Sequence, residues 1–152
     1  MKNLYDALRE SHTRQRSLCT ALVRSGSHQQ PRRRELLREL RIELAAHAAA
    51  EERFLYVPIL LHDAGLNSAR HALSEHHEVD ELVEQLQALD PAGEAWGNKA
   101  RELTHKVRHH LREEESKFFQ VSGKLLSETQ KLRLAGQYRK DFARMQAVAA
   151  AA

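Results

Sequence analysis

Cysteine is almost absent from this sequence, and that scarcity excludes two kinds of structure. Cys19 is the only cysteine, so the chain has neither a disulfide framework nor a thiolate zinc cluster. Glycine and proline are scarce as well, and aromatic residues make up only 5% of the chain. The remainder is rich in Leu, Ala, Arg, Glu and Gln, which favour helices. We therefore predict an all-α fold.

Long hydrophobic runs and blocks of one charge are also missing. No stretch of about 18 uninterrupted apolar residues occurs, and the first residues lack the apolar segment of a signal peptide. The 24 basic and 21 acidic side chains are interspersed, giving a net charge of +3, and no nucleic-acid-binding motif is present. We expect a cytoplasmic protein without a membrane or nucleic-acid partner.

Loop-forming residues interrupt the sequence at four places and leave long segments between them. The interruptions are residues 25–31, 63–68, 90–98 and 122–123. The segments predict helices over residues 2–24, 32–62, 68–89 and 95–121, and a further helix over about 128–148. Short connections make neighbouring helices antiparallel. We predict an up-down-up-down four-helix bundle with a short C-terminal fifth helix, and we expect Pro58 to kink or end the second helix near Tyr56.

Each of the first four segments carries an apolar stripe at helical spacing, and polar residues interrupt every stripe. A histidine lies about midway along each stripe, and two stripes add a glutamate one turn later. These six candidate metal ligands are His12, His47, Glu51, His76, His110 and Glu114.

The second and fourth segments repeat one phrase, His47-Ala-Ala-Ala-Glu51-Glu52 and His110-Leu-Arg-Glu-Glu114-Glu115. Residues four apart lie on one helix face, so each helix can offer an imidazole and a carboxylate to the same metal ion. Six of the ten histidines have Asp or Glu four positions later, where composition alone gives about one or two. This spacing indicates metal binding.

Burial of so many polar groups is costly unless an ion compensates it. Two divalent ions, each bound by two imidazoles and sharing two carboxylates, satisfy the whole set. Nitrogen and oxygen ligands without sulfur suit iron, manganese or zinc, and the spacing does not choose among them. His76 and His110 follow the apolar stripes better than their neighbours His77 and His109, whose contribution stays open, as does that of His71, Tyr5 and Tyr56.

The motifs together resemble the hemerythrin-like (HHE cation-binding) family over about residues 4–126. The matching stretches are Glu10-Ser-His12, His47-x-x-x-Glu51-Glu52 with Phe54-Leu-Tyr56-Val-Pro58, Glu75-His76-His77-Glu78-Val79 and His109-His110-Leu-Arg-Glu-Glu114-Glu115. The resemblance implies one domain over residues 1–152, with the bundle at about 2–122 and the additional helix at about 127–148.

The resemblance also implies a cofactor and a ligand. The cofactor is two non-haem iron ions in an oxo- or hydroxo-bridged di-iron centre, with the four histidines as terminal ligands and the two glutamates as bridges. The ligand is a small diatomic molecule or peroxide, bound or consumed in sensing, detoxification or an oxidative or nitrosative stress response. Whether the chain is an enzyme stays open, and the fifth helix either caps the bundle or pairs two chains as a homodimer.

One departure from the family pattern bears on function. The oxygen carriers that this chain resembles have a further histidine one turn before the third-helix ligand, where this chain has Ala72. The loss of a ligand leaves more exchangeable positions, which favours reaction with peroxide, nitric oxide or dioxygen over simple oxygen storage. The alternatives are a site for zinc or another metal and a metal-free helical interaction bundle whose histidines face solvent.

Overall fold

The chain is helical almost throughout, and the computed structural model describes all 152 residues. Four helices form a bundle: α1 (Leu4–Arg24), α2 (Gln30–Glu51, extended by Glu52–Tyr56 and Val57–Leu60), α3 (Asp63–Gln87) and α4 (Glu94–Glu113, extended by Glu114–Phe118 and Phe119–Leu125). A fifth helix, α5 (Glu128–Ala151), follows. The predicted all-α bundle with an additional C-terminal helix is confirmed.

Short connections and defined caps set the helices against one another. Capping boxes begin α1 at Asn3 and α5 at Ser127, where the side chain of Gln130 pairs with the backbone of Ser127. Helix α1 packs against α2 and α4, α3 packs against α4, and α5 lies along α2 and α1. None of the helices is both long and apolar enough to span a membrane.

Two predicted loops are wrong. Helix α3 already begins at Asp63, because Gly65 is a site of close packing and not a breaker: a Cβ there would lie 2.3 Å from Cγ2 of Ile59. Helix α4 continues past residues 122–123 to Leu125. Ser122 fits into it because its hydroxyl donates a hydrogen bond to the backbone carbonyl of Phe118.

Two π-helical turns widen α2 and α4 at the repeated glutamates, the first beginning at Glu52 and the second at Glu114. In Glu52–Tyr56 and Glu114–Phe118 the backbone hydrogen bonds join residues five apart instead of four. The N–H of Val57 donates to the carbonyl of Glu52, and the N–H of Phe119 donates to the carbonyl of Glu114. Helix α2 therefore does not end near Tyr56 but widens ahead of Pro58. Such turns occur frequently at functional sites.

The apolar core is divided into two clusters by a layer of polar side chains. One cluster lies around Leu8, Tyr56 and Phe118, and the other around Leu22, Leu40 and Trp96. Along α1 the first cluster takes residues up to Leu8 and the second begins at Leu18, so the layer between them falls at the level of His12.

Candidate metal centre

The six candidate ligands predicted from the sequence all lie in this polar layer. Helix α1 contributes His12, α3 contributes His76, and the repeated phrases contribute an imidazole and a carboxylate each from α2 and α4. None of the six is more than 7% exposed. The premise of the metal-free alternative, histidines that face solvent, is therefore wrong for these four rings.

The side chains form two groups that share their carboxylates. In each group the potential ligand atoms lie within 4.8 Å of one another: His12, His47, Glu51 and Glu114 in one, and His76, His110, Glu51 and Glu114 in the other. The ring centroids are 5.1 Å apart in the first imidazole pair and 5.0 Å apart in the second. Two imidazoles on each side of two shared carboxylates form an arrangement able to hold metal.

Every ring presents the same nitrogen to the centre. The distances from Nε2 to the nearest carboxylate oxygen of the group are 3.2 Å for His12, 3.4 Å for His47, 3.1 Å for His76 and 3.6 Å for His110. The other ring nitrogen faces outward in all four.

The outward nitrogen of each ring has a partner that holds the ring in place. Nδ1 lies 2.9 Å from an oxygen in every case, that of Glu115 for His12, Tyr138 for His47, Glu52 for His76 and Glu75 for His110. A ring that donates its Nδ1–H outward keeps the lone pair of Nε2 for a metal ion, and such support is typical of metal-ligating histidines.

These four supporting residues were missed in the sequence analysis, although three of them carried a signal. Glu52 and Glu115 are the second glutamates of the repeated phrase, and each reaches a histidine on a neighbouring helix. Glu75 directly precedes His76 in one of the matching stretches. Tyr138 had no signal, because it comes from α5, outside the stretches that carry the ligands.

The phenol of Tyr56 lies among the ligand atoms. Its Oη is 2.8 Å from Oε1 of Glu51 and 3.3 Å from Nε2 of His76, and it also donates a hydrogen bond to Glu114. The hydroxyl of Tyr5 is directed elsewhere, to the hydroxyl of Ser122 at 2.8 Å.

The three histidines that were left open have exposed side chains. The exposed fraction is 58% for His71, 74% for His77 and 50% for His109. None of them belongs to the two buried groups.

Five inward atoms of the cluster have no hydrogen-bond partner in the protein. They are Nε2 of His12, His47 and His110, Oε2 of Glu51 and Oε1 of Glu114. An unsatisfied buried polar atom costs roughly 1–3 kcal/mol, so a protein does not collect five of them at one point without a purpose. A cation bound among them satisfies imidazole nitrogen and carboxylate oxygen together. The residues fit a metal.

The cluster attracts positive charge. Burial alone lowers the pKa of His12, but the nearby carboxylates of Glu114 and Glu115 outweigh burial and raise this pKa to about 9. Burial is likewise outweighed at His76, where carboxylates, Glu51 first among them, raise the pKa to about 10. Burial also disfavours the charge of Glu51, yet the neighbouring imidazoles hold its pKa well below the usual value.

A groove connects one side of the cluster to solvent. It has a volume of about 250 Å³, lies between α3 and α4, and reaches His110 and Glu114 past Ala72 and Phe118. The groove does not reach His12 or His47, and on that side the ring of Phe119 stacks on the imidazole of His12 at a centroid distance of 5.8 Å. The two halves of the centre therefore differ in access.

Known proteins resemble this chain in sequence and in fold. A family model described as the hemerythrin HHE cation binding domain matches residues 3–121. A DNA nickase from Nostoc sp. (strain PCC 7120 / SAG 25.82 / UTEX 2576) is 29% identical over 144 residues, which make up 95% of this chain but 40% of that protein. This chain thus spans less than half of that relative.

A solved structure is similar over almost the whole chain. It is the crystal structure of a hemerythrin HHE cation binding domain-containing protein from Mycobacterium kansasii, with a TM-score of 0.86 and 19% sequence identity. The match covers 97% of this chain and 90% of the other. At this identity the likeness shows the fold alone.

Proposed function

This chain belongs to the hemerythrin HHE cation-binding domain family, and on that premise we propose that it is a non-haem di-iron protein that binds or reacts with dioxygen, peroxide or nitric oxide. The observation that carries the proposal is the pair of four-residue groups that share Glu51 and Glu114. Bound iron supplies reversible electron transfer and open positions for a small molecule. Iron is preferred to manganese or zinc because of the family.

The chain's own residues would divide the task in this way. His12 and His47 would hold one ion through Nε2, and His76 and His110 the other, while the two shared carboxylates lie between the pairs. The partners on Nδ1 fix the direction of each ring before metal arrives, which lowers the cost of organising the site.

The proposed place of reaction is the half of the centre that contains His76 and His110. The groove opens on that half and passes Ala72, where the oxygen carriers have a histidine. The phenol of Tyr56 lies on the same half, 3.3 Å from Nε2 of His76. Its single hydroxyl proton lies between the carboxylates of Glu51 and Glu114 and can be donated to a small molecule bound there.

Metal analysis with optical spectra tests the proposal. The purified chain, loaded with Fe²⁺ without oxygen, is expected to bind about two irons and to develop near-ultraviolet absorption on exposure to dioxygen. Spectra after addition of dioxygen, peroxide and nitric oxide identify the ligand: fast peroxide consumption indicates an enzyme, and a reversible dioxygen adduct a carrier or sensor. Stoichiometric zinc with no iron uptake would contradict the di-iron function.

Tyr56→Phe tests the role of the phenol. The variant keeps the buried ring against Phe118, so we expect unchanged iron content but a reaction with peroxide that is slower by about 10²-fold or more, as for loss of a positioned proton donor. Tyr5→Phe is the matched control, because that hydroxyl pairs with Ser122 away from the centre. Equal rates in both variants would remove Tyr56 from the reaction.

A second candidate function, DNA strand cleavage, is favoured by one surface. The Nostoc relative is described as a DNA nickase. A groove of about 640 Å³ here is lined by Arg108 and Arg112, side chains suited to phosphates, and by Arg16, which pairs with Glu115 in the same groove. The test is conversion of supercoiled plasmid to the open circle. The double variant Arg108→Gln with Arg112→Gln should lose this activity, whereas the control Arg32→Gln with Arg34→Gln should keep it. If the iron-loaded chain does not nick the plasmid, strand cleavage is excluded.

A further inference from the structure

A second cluster of potential ligands lies at the outer end of the groove between α3 and α4. It consists of His71, Glu75 and Glu113, whose ligand atoms lie within 4.8 Å of one another. Nε2 of His71 is 3.5 Å from Oε1 of Glu75 and 3.3 Å from Oε1 of Glu113. The three residues come from two helices, so the bundle itself sets their spacing.

The mouth cluster, as we call these three residues, is connected to the buried centre. All three line the groove that reaches His110 and Glu114. Glu75 belongs to both places, because the oxygen that faces His71 also accepts the hydrogen bond from Nδ1 of His110 at 2.9 Å. The mouth cluster and the buried residues His110 and Glu114 therefore line one continuous groove.

The surroundings suit an exchangeable divalent cation. Imidazole with two carboxylates is a set of ligands for zinc, manganese or ferrous iron, and Nε2 of His109, 3.1 Å from the second oxygen of Glu113, helps to hold that carboxylate in place. Lys106 lies 3.8 Å from the other oxygen of Glu75 but also pairs with Glu78. With His71 more than half exposed, solvent completes the site, so binding is weaker than in the buried centre.

We propose that the mouth cluster is an additional divalent-cation site through which cations enter the buried centre. The site itself stands on its own residues. The entry role rests on the proposed function, since it requires that the buried centre take up metal ions.

Zinc binding tests the site. Zn²⁺ bound per chain is measured by equilibrium dialysis and metal analysis on the iron-loaded protein and, separately, on the metal-free protein. We expect His71→Gln with Glu113→Gln to bind one zinc ion less per chain than the unmodified protein in both series. The matched control is His77→Gln with Glu81→Gln, an exposed pair on α3 at 2.7 Å, which should not change the count at the groove.

Iron uptake tests the entry role. We expect the variant His71→Gln with Glu113→Gln to load Fe²⁺ about tenfold more slowly than the control variant, because it has lost two of the three ligands of the mouth cluster. The final iron content should be the same, because the six buried candidate ligands are unchanged. Equal zinc counts in the mouth and control variants would overturn the site, and equal loading rates would overturn the entry role. If the protein takes up no iron, the proposed function is wrong. The number of zinc ions bound by the metal-free protein still tests whether the mouth cluster is a cation site.

Discussion

The four histidines of the centre differ in the kind of side chain that pairs with their outward nitrogen, Nδ1. Glu115, Glu52 and Glu75 support three of the rings with a carboxylate, whereas Tyr138 supports His47 with a phenol. A carboxylate makes the ring a stronger ligand, because it stabilises the positive charge that the ring acquires on binding metal. His47 therefore lacks the charge support that the other three rings have.

Glu115→Gln removes the charge behind His12 and keeps the side-chain shape. We expect the affinity for metal to fall by roughly 10–100-fold, measured by competition with a chelator of known affinity. Glu102→Gln on the same helix is the control, because that carboxylate is exposed and pairs only with Lys99. Equal affinities in the two variants would mean that the carboxylate does not support the ligand.

Single residues also show what the sequence could predict about the site. The four-residue spacing and the apolar stripes place the six inward side chains on the correct helix faces, including His76 and His110 in preference to their neighbours. The supporting residues could not be predicted in this way, because Glu52 and Glu115 each reach a ring on another helix. Spacing along one helix shows which face a side chain lies on. Which residue of another helix it contacts is known only from the packed bundle.

At the level of the helices, the two π turns decide which aromatic residue reaches the centre. In a regular α-helix, positions five apart do not share a face. The π-helical hydrogen bonds of Glu52–Tyr56 turn Tyr56 to the same face as Glu51. The π turn of α4 likewise turns Phe119 toward His12. The sequence shows both aromatics, but the widened turns that aim them inward leave no pattern that spacing rules detect.

The start of α3 depends on the absence of a side chain at one position. We expect Gly65→Ala to destabilise the protein by about 1–3 kcal/mol, as overpacking does, because the added Cβ meets the branched side chain and the carbonyl of Ile59. Urea unfolding measures the change.

Gly136→Ala is the matched control for this substitution. Gly136 is helical and exposed, with nothing within 4 Å of the added Cβ, so we expect a gain of about 0.5–1 kcal/mol. If both substitutions stabilise the protein equally, the packing role of Gly65 is wrong.

In the molecule as a whole, the two halves of the bundle repeat one design. Glu52 of α2 holds His76 of α3, and Glu115 of α4 holds His12 of α1. The repeat makes the centre nearly symmetric in its ligands. The groove and the phenol break that symmetry, since they lie on the same half.

The charge of the whole cluster predicts how metal binding depends on pH. In the metal-free chain the pKa values of His12 and His76 are raised to about 9 and about 10, so both rings are protonated at neutral pH and metal must displace the protons. We expect the affinity to rise with pH until these rings have lost their protons, at about 9 for His12 and about 10 for His76, and metal to be lost on acidification. Chelator competition at several pH values measures this, and a flat profile would contradict it.

The arrangement of the bundle was largely predictable from the sequence, whereas two boundaries were not. Long amphipathic segments with short connections allow few packings other than an antiparallel bundle. The errors fell at Gly65 and at Ser122 with Gly123, residues that usually end helices. Here Gly65 packs so closely against Ile59 that no Cβ fits, and the hydroxyl of Ser122 pairs with that of Tyr5 on another helix. The packing of the folded chain sets these contacts, and the order of residues along the chain does not reveal them.

Helix α5 lies beyond residue 121, where the family match ends, yet it carries the hydroxyl that holds His47. A designer who transplants the centre into another scaffold by copying the matched residues alone would leave that ring free to turn. The portable unit extends at least through Tyr138, and a graft that stops earlier would carry all six candidate ligands but only three of the four residues that pair with the imidazoles.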